Sequence, residues 1–376
     1  MAIIYSPKYD LHQDKSHIEN KSRTDAIINN LAHQDFFNKL NIIEPYSANL
    51  NQVLSVHTPE HVNFIDEFCK RGGGYLDFDT YATSQSYQTA LLSAGGAIKA
   101  SQLVLKGENK SESWAFSISR PPGHHATANK SMGFCIFNNM AIAVEYLRKT
   151  YGLKRFCIID FDVHYGNGTA EIFYNDPNIL YISIHQDPRT LFPGKGFIEE
   201  QGTAEGKGYN LNIPLPPGSN NTDYIWILKE ILGPVIKEFH PQVLFADAGF
   251  DAHLNDPLSR IKVTEDFYSW IGQYLIEKHP KLISLLEGGY ELEALANSSL
   301  NFIFSMDPYL FLSDNEDKKS NIKNKFPQLQ INKSNPQYKF KFKDEIEKEY
   351  LEAYVSPEVR KVLLSIKDNF SPYFKF

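Results

Sequence analysis

Two histidines stand side by side in RPPGHH, residues 120–125, and an Asp-x-His step follows in DFDVHYGNG, residues 160–168. In an extended segment residues i and i+2 point to the same side, so Asp162 and His164 can share one ion. Two ligands do not make a site. Asp251, in AGFDAH, is the best third candidate, and three protein ligands leave a position open, as in a catalytic rather than a structural zinc centre. A lone Asp-x-His is usually a surface or capping pair; with Asp251 and the paired histidines that reading becomes the poorer one. Beside such an ion, His124 and His125 could each reach a water or a substrate oxygen, and each needs a partner on its other nitrogen to fix the tautomer. Asp160 and Asn167 flank the ligand pair and could be those partners. An aspartate raises its histidine's pKa, whereas an asparagine orients a ring without adding charge, so the Asn167-paired imidazole is expected to be the base.

The elements that must carry these groups show a β-α-β-α rhythm. Apolar runs at 2–6, 114–119, 155–162, 179–185, 242–249 and 281–289 read as strands covered on both faces, the pattern of a parallel sheet. Helices are expected at 22–38, 58–70, 86–106, 137–151, 222–239, 264–278 and 291–305. The fold class is therefore α/β: one domain with an open parallel sheet and helices on both faces. Ligands of such sheets bind beyond the carboxyl ends of the strands. Four runs end there in polar residues: Arg120 to His125; Asp160, Asp162, His164 and Asn167; Asp247, Asp251 and His253; Glu287 and Tyr290. That convergence marks an active site.

The organisation expected is a catalytic domain over 1–312, a polar Lys-rich linker over 313–343 and a final helix packing back from 344 onward to 376. Across 376 residues hydrophobic side chains make up 42%, and the formal charge of −7 argues against a general nucleic-acid binder. Cys69, Cys135 and Cys157 form no CxxC pair, which speaks against a disulfide scaffold and fits a reducing compartment. MAIIYSPKYD has no Sec-type signal pattern and no apolar run nears the ~18–20 residues of a membrane span, so a soluble chain is expected.

RPPGHH with GFCIFNN, DFDVHYGNGT, ISIHQDP with LFPG, AGFDAHLNDPL and LEGGY together resemble the zinc-dependent histone deacetylase family, and more narrowly its class II and acetylpolyamine amidohydrolase relatives. The resemblance covers about 1–305 and implies the arginase–deacetylase fold and hydrolysis of an acetyl-amine amide. It places Asp162, His164 and Asp251 as metal ligands, and His124 and His125 as the paired histidines with Asp160 and Asn167 behind them. Tyr290 becomes the residue that polarises the acetyl carbonyl. Gly133, Phe134 and Phe192 match the narrow substrate tunnel, and Arg23 the arginine deep in the pocket. Structural potassium ions are also implied, one at Asp160, Asp162, His164, Ser183 and Ile184, another near Phe173, Asp176, Ile179 and Tyr209. Gly166 stands where arginases carry a further metal-binding Asp, which disfavours a binuclear manganese site.

The resemblance leaves three functions open. The first is a lysine deacetylase acting on acetylated protein tails, histone or otherwise. The second is an acetylpolyamine amidohydrolase, and the third a non-catalytic acyl-lysine binder. Leu258 stands where a polyamine-selective relative carries glutamate, which favours acyl-lysine; Asp79 could hold a peptide N–H or a polyamine cation and decides nothing. Lys318–Lys343 holds eight lysines and no acid. It reads as a solvated segment with an edge strand in KFKFK, or as a basic patch for an anionic partner such as nucleosomal DNA. Cytoplasm is the default location, with a nucleus, its own or a host's, as the alternative.

Overall fold

Ten short strands and a set of enclosing helices are described by the computed structural model over residues 2–34, 36–106, 114–307 and 344–376. The strands are β1 (Ala2–Ile4), β2 (Ile42–Ile43), β3 (Gly73–Tyr75), β4 (Tyr81–Thr83), β5 (Trp114–Ser117), β6 (Phe156–Asp160), β7 (Ile179–Gln186), β8 (Asn210–Leu215), β9 (Val243–Ala248) and β10 (Leu282–Leu286). Eight of them form one sheet in the order β2-β1-β5-β10-β9-β6-β7-β8. Every pairing in it is parallel. β3 and β4 make a separate antiparallel hairpin. All six predicted strands are present. The expected α/β fold with a single parallel sheet stands.

The strands are apolar on both faces because both are covered. Ile3, Phe116, Ile159, Ile182 and Leu244 turn to one core with the helices Asn221–Phe239, Glu265–Lys278 and Leu292–Met306. Their neighbours Ile4, Ala115, Ile158, Tyr181 and Phe245 turn to the other, under Ser86–Lys106 and Asn139–Tyr151. On that second face the register changes character at the carboxyl ends. Ser117, Asp247, Asp160, Ser183 and Asn212 lie in one cross-strand row with Leu285 among them, and all five polar side chains are buried. A buried polar row is costly unless it is used. This one forms the floor of the site.

Several expectations change. β8 and β2 were not anticipated, and neither was the helix Asn167–Phe173. The first helix spans Ser22–Ala32, shorter than 22–38. The single C-terminal helix is two, Asp344–Tyr354 and Pro357–Phe370, because Ser356 caps the second and Pro357 starts it. The second packs on β8, where Tyr373 lies against Gly208 and Phe374 against Tyr209. The segment 313–343, for which a Lys-rich linker with a basic patch or an edge strand in KFKFK is expected, lies outside the described residues.

Candidate active site

β6 ends at Asp160, and the chain bends through 162–164 before the next helix begins at Asn167. Asp162 and His164 are therefore not on an extended strand, as the i, i+2 argument assumed. The bend still turns both inward. One atom each of Asp162, His164 and Asp251 lie within 4.8 Å of one another, all three residues buried. His164 Nδ1 is 3.1 Å from Asp162 Oδ1 and 3.0 Å from Asp251 Oδ2. Backbone N–H groups hold the carboxylates: Gly288 donates to Asp162 Oδ2 at 2.7 Å and Val163 to Asp251 Oδ1 at 2.9 Å.

Glycines make the space. A Cβ on Gly249 would stand 2.2 Å from Asp162 Oδ2, and one on Gly288 would stand 2.1 Å from Asp251 Oδ2. Burial and the Asp162 charge push Asp251 up to about 7. Burial opposes a charge on His164, but hydrogen bonds to Asp162 and then Asp251 outweigh it and raise the ring to about 10. Two buried carboxylates and an imidazole aimed at one point demand a positive charge between them. One nitrogen and two oxygens suit a borderline divalent ion such as zinc, so the donor set fits the group the sequence implies.

The paired histidines meet the expected partners. His124 Nδ1 is 3.1 Å from Asp160 Oδ2, and His125 Nδ1 is 2.8 Å from Asn167 Oδ1. Their rings lie 4.0 Å apart between centroids. Burial disfavours charge on His124, but Asp162, then Asp160 and Glu287, overcome it and raise its pKa well above the ordinary range. Burial pushes His125 well below, helped by the charges of His124 and His164. Adjacent imidazoles thus hold opposite protonation preferences. Asp160 Oδ2 also accepts the Tyr181 hydroxyl at 2.7 Å.

Gly133, Phe134 and Phe192 pack around His125 and Tyr290. Gly133 presses on His125, where a Cβ would come within 2.4 Å of Cδ2. Phe134 is held at φ 68°, a left-handed conformation that costs a bulky residue energy and is found where geometry matters. Its ring meets Tyr290 edge-on at 5.6 Å, and Phe192 meets His125 at 5.1 Å. Phe192 is 42% exposed, at the solvent side. Leu258 is half-buried beside Asp256, whose carboxylate accepts the N–H of Leu258 at 3.0 Å and of Tyr290 at 2.7 Å. Asp79 lies in the β3–β4 hairpin loop, its carbonyl accepting from His17 at 2.8 Å, and His17 packs on Phe134 at 4.8 Å. Burial and Asp77 raise the Asp79 carboxyl.

Of the residues that the resemblance implies for potassium, Asp160 and Ser183 are register partners, and Ser183 Oγ bonds His185 Nδ1 at 2.9 Å. The carbonyls of Phe173, Asp176 and Tyr209 each accept one backbone N–H, from Asp176, Ile179 and Tyr181. His253 is buried, its ring facing Glu265 at 3.4 Å, and is not one of the three clustered groups.

Sequence reasoning left four contributors without a role: Glu19, Arg120, Asp256 and Glu287. Glu287 Oε2 accepts the N–H of Gly123 at 2.8 Å and of His124 at 3.1 Å, fixing the histidine loop. An acid closing the last core strand, inside LEGGY, was the available signal.

A parallel α/β sheet carrying an Asp–His–Asp cluster and two differently partnered imidazoles at its carboxyl edge defines a hydrolytic type of site. Residues 17–306 match the family profile described as a histone deacetylase domain. A probable deacetylase of Methanothermobacter thermautotrophicus is 50% identical over 307 residues, 82% of this chain and 91% of its own length. Histone deacetylase 14, chloroplastic, of Arabidopsis thaliana is 36% identical over 321 residues, 79% of this chain and 74% of its own. The crystal structure of the HDA15 HD domain superposes with a TM-score of 0.81 at 29% identity, covering 99% of this chain and 96% of that one. The chain belongs to the histone deacetylase family, with the arginase–deacetylase fold. Among the described residues no helix is long and apolar enough to cross a membrane.

Proposed function

We propose that this chain is a zinc-dependent lysine deacetylase that hydrolyses acetyl-lysine in protein tails to lysine and acetate. The observation that carries the reading is the asymmetry of His124 and His125 beside the Asp162–His164–Asp251 cluster. When bound, zinc supplies Lewis acidity, drawing charge from an amide carbonyl and making water a competent nucleophile near neutral pH.

The residues divide the remaining work. His125 donates Nδ1–H to Asn167, which leaves Nε2 with a free lone pair, and its depressed pKa keeps it unprotonated. It takes a proton from the attacking water as the water oxygen bonds the acyl carbon. The proton then passes to the lysine nitrogen as the C–N bond breaks, so acetate and amine leave in balance. His124, kept cationic by Asp162 and then by its partner Asp160, steadies negative charge developing on the acyl oxygen. The Tyr290 hydroxyl donates to the same oxygen, while Gly133, Phe134 and Phe192 enclose the alkyl stem and exclude water. Potassium at the two implied positions belongs to the same reading, supported by the resemblance alone.

Leu258 at the mouth supports acyl-lysine over acetylpolyamine, since it offers no carboxylate to a distal ammonium group. Purified protein should be assayed in parallel on acetyl-lysine peptides and acetylspermidine, with chelation and zinc add-back. Peptide turnover that chelation abolishes and zinc restores is expected. A preference for acetylspermidine would move the substrate class, and binding without turnover would make the chain an acyl-lysine reader.

A further inference from the structure

Behind Tyr290 lies a buried charge cluster that the reaction outlined above does not use. Glu19 is fully buried and sits between two fully buried arginines. Arg120 grips it with both ends of its fork, Nε to Oε1 at 2.5 Å and Nη2 to Oε2 at 2.8 Å. Arg23 Nη1, at the start of the helix Ser22–Ala32 four residues further along the chain, reaches Oε1 at 3.1 Å. His12 adds a ring nitrogen 3.5 Å from Oε2, and Tyr81 donates to the Glu19 carbonyl at 3.2 Å. Burial alone would raise the Glu19 carboxyl, but Arg120 first, with His12 and Arg23, holds it well below the usual carboxylate range.

The other end of Arg23 explains the placement. Its Nε donates to the carbonyl of Gly289 at 2.6 Å and its Nη2 to the carbonyl of Glu287. Its guanidinium lies over the Tyr290 ring, 4.8 Å from the centroid. Arg23 thus pins the backbone on the N-terminal side of Tyr290 and supports the ring. Arg120 opens the loop that carries His124 and His125. Glu19 is the anion common to both.

We infer that Glu19 is a positioning residue: by clamping Arg23 it sets where the Tyr290 ring stands relative to the histidine loop. A carboxylate is required because a neutral acceptor cannot compensate two desolvated guanidinium ions. Released from Glu19, Arg23 would redirect its donors, and the Gly289 carbonyl and the tyrosine face would lose their support. A displacement of about 1 Å at a reacting group can cost on the order of a hundredfold in rate.

This inference rests on the deacetylase reading, and a double-mutant cycle on the full chain separates the two. Glu19→Gln should lower kcat on an acetyl-lysine peptide tenfold or more, with KM within twofold and bound zinc unchanged. In a Tyr290→Phe background the same change should cost less than twofold, because the group it positions is gone. Equal losses in both backgrounds, or an unchanged kcat in folded Glu19→Gln protein, would overturn it. A wild type inactive on every acetyl amide would sink the deacetylase reading instead. Ring placement is then still read by 19F NMR of 3-fluorotyrosine-labelled protein, with the Tyr290 line assigned through Tyr290→Phe. That line should shift or broaden in Glu19→Gln, and an unmoved line refutes the inference. Should Glu19→Gln fail to fold, Glu19→Met with Arg120→Met replaces a buried ion pair by apolar volume and still deprives Arg23 of its anion, with the same readings expected.

Discussion

His125 Nδ1 lies 2.8 Å from Oδ1 of Asn167, an uncharged acceptor, while the neighbouring histidine faces a carboxylate. The amide fixes the ring while supporting an imidazolium far less than a carboxylate would, and burial with the charges of His124 and His164 keeps His125 as a base. Asn167→Asp reverses this at constant shape. The new carboxylate raises the His125 pKa, and a base that must be unprotonated then works only at higher pH. The acid limb of the kcat/KM profile should move upward by one to two units, on the order of an opposite charge at hydrogen-bond distance. A limb that stays in place would remove His125 from the proton-transfer role.

The six central strands were legible in the sequence because burial on both faces makes them almost continuously apolar. β8 was not: it reads NLNIPL, with Asn210 and Asn212 turned inward and Pro214 tolerated beside the sheet edge. That Asp160 and Asn167 would back the two histidines could be read from DFDVHYGNG because that short stretch supplies both partners. Its local conformation could not, since β6 stops at Asp160 and helix restarts at Asn167. Glu19 and Arg120 are 101 residues apart, and no local pattern announces a contact that the topology alone creates.

Gly288 borders the Asp162–His164–Asp251 cluster by having no side chain. A methyl group there would meet Asp251 Oδ2 at 2.1 Å and Asp162 Oδ2 at 2.5 Å, both held in place by backbone hydrogen bonds or the facing imidazole. Gly288→Ala should therefore purify with far less than one zinc per chain, measured by elemental analysis. Affinity should fall by at least the ten- to hundredfold seen when a ligand's supporting contacts are lost. Full zinc occupancy in this variant would mean that these carboxylates are not the ligands.

Leu258 offers a test of substrate class by charge. It is half-buried next to the loop that Asp256 ties to Tyr290. Leu258→Glu adds a carboxylate at the mouth, where it would attract the distal ammonium groups of acetylspermidine. The ratio of kcat/KM for acetylspermidine to that for a neutral acetyl-lysine peptide should rise about tenfold, equivalent to ~1.4 kcal/mol. The gain should fade as ionic strength rises, because the mouth is open to solvent. A ratio unchanged at low salt would place residue 258 away from the substrate path.

His57 makes acid stability a measurable property of the wall behind the histidine loop. Only 2% exposed, it accepts the N–H of Asn138 at 2.9 Å, and Asn138 in turn caps the helix Asn139–Tyr151 and bonds the Ala126 carbonyl. Burial first, then the neighbouring His61, pushes the ring down to about 3. In the unfolded chain the same ring titrates near ~6.5. Between those values the unfolded state binds a proton that the folded state refuses, so stability falls as pH drops through 6.5 toward the folded value. The slope approaches about 1.4 kcal/mol per pH unit, or about 2 kcal/mol lost by pH 5. His57→Gln retains an acceptor for Asn138 and cannot titrate. Urea unfolding at pH 7 and pH 5 should show the variant losing about 2 kcal/mol less than wild type across that interval. Parallel losses in the two proteins would mean that His57 takes up its proton in the folded state.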